Sequence, residues 1–416
     1  LSLWLKENEL SRSTIGWAGL IFGVYAINFM WAPLVDRLRI PYLTNKIGHR
    51  KSWIILMQLI ILLSLILWSI LNPIDDLWLI IAVGLTIAIS SATQDITIDA
   101  LRIEQIGENE GKVMAASAAI QVVGWWTGYK IGGVISLLTA EFFQQRGFEN
   151  YWQLSFLVLT LIIIISSFAL FFVPESGSNE RDMSQKENDK NLLEKFQLKS
   201  KFSKMIGWLY GTIINPLVSF FRKNSFSVAL GLLSFIFLFK IGEAFLGRMS
   251  IIFYKEIGFS KTDIALYSKG IGWITTITFT LLGGLFAIRM GLLKAMFVSG
   301  IVMALTNLMF SVLAWVGDSE ILFAFTVLID DLAAAFATVA FVAFISALVD
   351  RTYTATQFAL LASIGTAGRT LFASSSGTLV DWLNGDWGIF FIITAIMVIP
   401  SLLCLMAIKN KLKINE

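Results

Sequence analysis

Long apolar runs, broken by short polar loops, fill most of this chain. A helix that crosses hydrocarbon needs about 20 apolar residues. Windows of that kind fall at 14–35, 52–71, 77–99, 113–138, 152–173, 226–252, 263–288, 291–315, 320–348, 355–381 and 387–408. They predict an all-α membrane protein with about eleven transmembrane helices. Strands of a membrane barrel would alternate apolar and polar residues over about ten positions, and no stretch here does so.

The polar breaks between the runs set the expected topology. One set of loops holds Arg37, Arg39, Lys46, Arg50 and Lys51, then Arg102 and Lys112, Arg289 and Lys294, Arg351, and finally Lys409, Lys411 and Lys413. The alternate set holds Asp75, Asp76, Glu141, Arg146, Glu149, Asp318, Glu320 and Asp386. Positive charge gathers on cytoplasmic loops. This places the first set and the C-terminus inside, and "LSLWLKENELSRST" outside. An odd span count suggests that a first helix is missing; a natural eleven-span protein is the alternative. Five windows precede the polar stretch 174–225 and six follow it. The expected layout is an N-terminal bundle over 1–173 that lacks its first helix, a cytoplasmic linker over 174–225, and a C-terminal bundle over 226–416. The linker is rich in Lys and Glu and reads as flexible, with some helix. Its end, "IINPLVSFFRKNS", reads as a short interfacial helix.

Composition narrows the function classes. Charged residues make up 15% of the 416, against about 25% in an ordinary soluble domain. One Cys and one His leave no disulfide scaffold, no His/Cys metal site and little for a membrane-embedded enzyme to work with. The net charge of +3 is not clustered for nucleic acid. No Gly-x-x-x-x-Gly-Lys-Ser/Thr loop is present, so ATP would not supply the energy. A secondary transporter driven by an ion gradient remains, without a cofactor. Carboxylates with Lys partners favour protons over sodium. The expected partners are the lipid bilayer, a small-molecule cargo and protons, and the expected form is a monomer.

Ionisable residues inside spans are costly and are functional candidates. "FLFKIGEAF" puts Lys240 and Glu243 three residues apart, where they can pair. They form either a self-neutralised pair or a cavity pair whose Glu takes a proton when Lys240 engages an anionic cargo. "LIDDLAAAFATVAF" puts Asp330 and Asp331 about 100° apart on a helix, so one is the better proton carrier; the alternative is a bond to a neighbouring helix. Lys130 and Arg369 suit cargo carboxylates or phosphates, or else partner those acids. Lys269 is a weaker case of the same kind. Trp126 and Tyr129, with Trp125, stack on a sugar or anchor at the interface. Gln357, near a helix start, bonds either cargo or that start. His49 lies in a basic loop and is expected in solvent.

"SSATQDITIDALR" closes the window that begins at Leu77. Asp95 then lies about 27 Å along the helix, and Asp99 about 33 Å, at 1.5 Å per residue. Asp95 is therefore expected at the floor of the cavity, as a further proton-coupling candidate. Asp99 falls at the headgroups, beside Arg102.

"FMWAPLVDR", "GHRKSW", "SATQDITIDALR", "FKIGEAF" and "TATQFALLASIGTAGR" together resemble the AmpG muropeptide permease family of the major facilitator superfamily, which is related to acetyl-CoA transporters. The Asp-Arg loop is shared across that superfamily; the Gln-Asp-x-x-x-Asp-Ala and Ala-Thr-Gln-Phe-Ala-Leu patterns are more specific. The resemblance implies two six-helix bundles and proton-coupled import of anhydro-muropeptides across the bacterial inner membrane by alternating access. A porter for an acyl-CoA or nucleotide-like anion, or a degenerate homologue, is the alternative. It also implies a cytoplasmic gate of Asp36, Arg37, Gly48, Arg50 and Lys51, with Asp99 and Arg102 at the facing helix end. Asp99 is expected to pair with Arg37 or Arg50, in partly exposed bonds of order 1 kcal/mol.

Overall fold

The computed structural model describes residues 2–8, 21, 23–107, 110–175, 183–187, 190, 201–259, 272–373 and 375–412. Lys269, much of the 14–35 window, the start of the 263–288 window and most of 176–200 lie outside the described residues. The described residues are helical and contain no strand. The long helices are α1 (His49–Trp68), α2 (Leu77–Glu104), α3 (Gly111–Gln145), α4 (Tyr151–Ala169) and α5 (Lys201–Asn224). They continue with α6 (Phe226–Leu238), α7 (Ile241–Glu256), α8 (Gly272–Met290), α9 (Leu292–Val316) and α10 (Glu320–Leu348). The last are α11 (Thr354–Ala373), α12 (Trp387–Ile396) and α13 (Ile399–Ile408).

Seven helical stretches among the described residues are long and apolar enough to span a membrane: 49–68, 77–104, 151–172, 226–256, 292–316, 320–348 and 387–411. The predicted span at 113–138 is also helical, and that at 355–381 is helical over Thr354–Ala373 and Ser376–Trp382; both are richer in Gly, Ser and Thr. Two of the seven stretches are interrupted between α-helices. Phe239 and Lys240 separate α6 from α7, and Met397 and Val398 separate α12 from α13. Pro400 at the start of α13 removes a backbone donor there. The expected short helix at the end of the linker is part of the 24-residue α5. Thr212 and Phe220 are buried on it with Pro216 midway between them, a four-residue spacing that marks one inward face.

The chain packs as two units. The first comprises 1–105, 129–217 and 350–359. Its core gathers Trp4, Ile61, Leu65, Trp68, Ile80 and Phe156. The Trp4 ring lies 5.0 Å from that of Phe156 and 6.0 Å from that of Trp68. Trp68 also spends its indole N–H on the carbonyl of Ile80 at 3.1 Å, so a large ring is buried without an orphaned donor.

The second unit comprises 106–128, 218–349 and 360–416. Its core is aromatic, with Phe253 4.7 Å from Phe391 and Tyr254 4.6 Å from Phe323. Lipid tails are as apolar as these rings, so close packing rather than water exclusion holds membrane helices together. Gly242 meets that demand. A Cβ at this position would run into the carbonyl of Thr394, so only glycine lets α7 and α12 approach so closely.

Candidate functional site

The second unit carries a charged cluster at the α6–α7 interruption. Lys240 is the residue before α7 and is 8% exposed. Its Nζ lies 3.0 Å from Glu243 Oε2 and donates to Thr338 Oγ1 at 2.7 Å. Glu243 stands in the first turn of α7, where the positive end of the helix suits an acidic side chain. The expected pair is thus formed, although Lys240 holds the break instead of sharing a continuous helix with Glu243. Thr338, two turns beyond Asp330 on α10, passes its own proton to the carbonyl of Ala334 at 2.7 Å. Its lone pairs are left to accept from Lys240.

Asp330 Oδ1 is 3.0 Å from Thr306 Oγ1 on α9. Asp331 is its neighbour on α10, and Tyr254 of α7 is close enough to both aspartates to feel their charge. Glu243 and Lys240 are likewise close enough for their opposite charges to act on Asp330. Proton-coupling and cargo candidates from two distant motifs therefore meet in one place.

The first unit carries the residues expected at the gate. Arg50 and Asp36 are 0% and 1% exposed, and Arg50 Nη2 lies 2.6 Å from Asp36 Oδ1. The same nitrogen is 2.6 Å from Glu104 Oε1, while Nη1 donates to the carbonyl of Val35 at 3.1 Å. Asp36 then spends its remaining lone pairs on the first turn of α11. It accepts from Thr356 N at 2.8 Å, Thr356 Oγ1 at 2.5 Å and Ala355 N at 3.2 Å. The opening amides of a helix have no partner within it, and here a carboxylate from a remote segment supplies one. Arg351 donates to the carbonyl of Ile103 beside this contact.

Glu175, at the head of the linker, caps α1 in the same manner. It accepts from Arg50 N at 2.7 Å and Lys51 N at 3.1 Å. Gly48 has φ +96°, and a Cβ there would collide with the Glu175 carboxylate. The φ is what favours glycine; the carboxylate is the end of a flexible side chain, which a Cβ would push out of its capping position. Gln185 joins the backbones of Thr352 and Asp36, donating at 2.9 and 3.3 Å.

Several expectations are corrected. Asp99 pairs with Arg102, at 3.0 Å, instead of with Arg37 or Arg50; Glu104 takes the place expected for it. Arg37 is half-buried beside this cluster. The Arg50 ion pairs are buried instead of partly exposed. His49 is 2% exposed, and its Nε2 donates to the carbonyl of Val35 at 2.7 Å. Gln357, for which cargo or helix-start bonding was open, accepts from Asp350 N, just before α11, at 2.7 Å and donates to the carbonyl of Pro216 at 2.8 Å.

The remaining candidates are dispersed. Asp95 is half-buried one turn before Asp99, near Tyr25, which is 2.7 Å from Ser91 Oγ. Lys130 and Trp126 are half-buried on α3, Tyr129 is exposed beside them, and the ring of Trp126 lies 4.9 Å from that of Trp125. Arg369 is exposed on α11. Glu104, Glu175, Gln185, Thr306 and Thr338 were not anticipated.

Comparison with known proteins brings in the family. The family model described as Major Facilitator Superfamily matches residues 1–268. "Putative transporter AmpG 4" of Rickettsia felis is 32% identical over 414 residues, which is 100% of this chain and 92% of that protein. "Anhydromuropeptide permease" of Escherichia coli strain K12 is 27% identical over 99% of this chain and 76% of its own length. Among solved structures, the transporter FucP in its outward conformation superposes with a TM-score of 0.65 at 14% identity, covering 95% of this chain and 90% of its own. The proton:xylose symporter XylE gives 0.61 at 15% identity, covering 96% and 87%.

Proposed function

This chain belongs to the AmpG family of the major facilitator superfamily, and from that premise we propose that it imports anhydro-muropeptides by proton-coupled alternating access. Its all-α fold is that of the superfamily, and its relatives are transporters. It is a multi-pass membrane protein. In our reading it works as a monomer in a bacterial inner membrane, with its C-terminus in the cytoplasm.

The observation that carries the coupling is Lys240 held between Glu243 and Thr338 at a broken helix. Broken helices mark binding sites in secondary transporters. An anionic group of the cargo draws Lys240 away from Glu243. The carboxylate left without its cation then takes a proton, since a bare charge in a low-dielectric site is costly. Asp330 and Asp331 are the neighbouring carriers. Asp36, Arg50 and Glu104 hold the inner gate shut by tying the 32–37 segment to α11. Because these pairs are buried, opening must return their charges to water.

Glu243→Gln, Asp330→Asn and Asp331→Asn are each expected to abolish uptake of labelled anhydro-muropeptide driven by a pH gradient, while cargo binding persists. Unchanged gradient-driven uptake in all three variants would sink this assignment. The cluster reads negative charge rather than sugar, which supports one second reading: a porter for another anion, such as an acyl-CoA. Competition between the two cargoes in vesicles separates the readings.

A further inference from the structure

Thr306 is 1% exposed, and its single hydroxyl faces two oxygens. Oγ1 lies 2.9 Å from the carbonyl of Met303 and 3.0 Å from Asp330 Oδ1. A hydroxyl has one proton to give and lone pairs to accept with, and the Met303 carbonyl can only accept. One proton therefore cannot serve both oxygens as two full, linear donations. When Asp330 carries a proton, it donates to Thr306, and Thr306 donates to Met303; every contact is filled. When Asp330 is ionised, the Thr306 proton must swing to the carboxylate and release the carbonyl.

We propose that Thr306 is the positioning residue for the proton on Asp330: a rotor whose hydrogen bond reverses direction as the carboxyl loads and unloads. It supplies a partner in both states, so neither is left with a buried unsatisfied group. The inference rests on the proton-coupled reading above. Titratable groups facing Asp330 are Lys240, Glu243 and Tyr254 from the α7 side and Asp331 beside it. Thr306 and Asn307 face inward from α9, and neither titrates. The adjoining α8 carries no charged residue before Arg289 in its last turn.

The test uses the full chain reconstituted in vesicles, with labelled anhydro-muropeptide and an imposed pH gradient. Thr306→Val keeps the shape and deletes the hydroxyl; Thr306→Ser keeps the hydroxyl. Thr306→Val is expected to raise the midpoint of the pH profile of uptake by about one unit, which corresponds to 1.36 kcal/mol, because the bond lost from the ionised carboxylate is stronger than the one lost from the protonated acid. Thr306→Ser is expected to restore the wild-type midpoint. Infrared difference spectra on acidification give a second readout. The carbonyl band of protonated Asp330, identified by its loss in Asp330→Asn, is expected to shift in Thr306→Val and stay in place in Thr306→Ser.

A midpoint and band in Thr306→Val identical to wild type would overturn the rotor. If Thr306→Val does not fold, Thr306→Ala is read against the same band. If Asp330→Asn still transports on a pH gradient, the coupling assignment to Asp330 falls. The band position in the Thr306 variants still decides whether the hydroxyl follows that proton.

Discussion

Arg50 concentrates the logic of the first unit in one side chain. Its guanidinium bonds two carboxylates and a carbonyl while fully buried, and its backbone N–H is taken by Glu175. A buried pair adds little net stability when intact, but removing one partner strands the other charge at about 3–5 kcal/mol. Arg50→Gln is therefore expected to lower the melting temperature in detergent by many degrees. Arg50→Lys should recover little of this, since an ammonium cannot replace the forked contacts. Asp36, Gly48 and Arg50 were expected together through the family resemblance of their loop, and the structure brings them together. The partner of Asp99 was not legible in the sequence: Arg102 is three residues away and wins locally, whereas Glu104 reaches Arg50 from one helix to another. The burial of His49 depends on a carbonyl of Val35, which no side-chain pattern encodes. Thr306 and Thr338 were equally hidden, because threonine is common in membrane helices and each gains its role only from the residue opposite.

At the scale of elements, the apolar windows located nearly every described helix, but the breaks within spans were invisible. Hydropathy averages over about 20 residues, and two non-helical residues among thirty leave it unchanged. The α7–α12 contact gives a paired test. Gly242→Ala pushes a methyl into the Thr394 carbonyl, which is backbone and cannot rotate away. A cost of about 1–3 kcal/mol is expected from overpacking, read as a lower melting temperature. Gly247, on the same helix, has nothing within 4 Å of an added Cβ. Gly247→Ala should leave stability equal or raise it by about 0.5–1 kcal/mol, as alanine favours the helix.

For the whole molecule, the consequence concerns the linker. Glu175 and Gln185 stand at its start, and both are bound into the first unit. Glu175→Ala removes a helix cap worth about 1 kcal/mol, so exchange of the Arg50 and Lys51 amides is expected to accelerate about fivefold in hydrogen-exchange measurements. The bond between Asp36 and Thr356 joins positions 320 residues apart. A chain inserted into a membrane from its N-terminus makes the Asp36–Arg50 pair early, yet it must synthesise six-sevenths of its length before α11 arrives to be capped. Such distant closures come late and slowly. The first unit is thus finished last: its receptor waits, already charged and oriented, for a helix from the far end of the polypeptide.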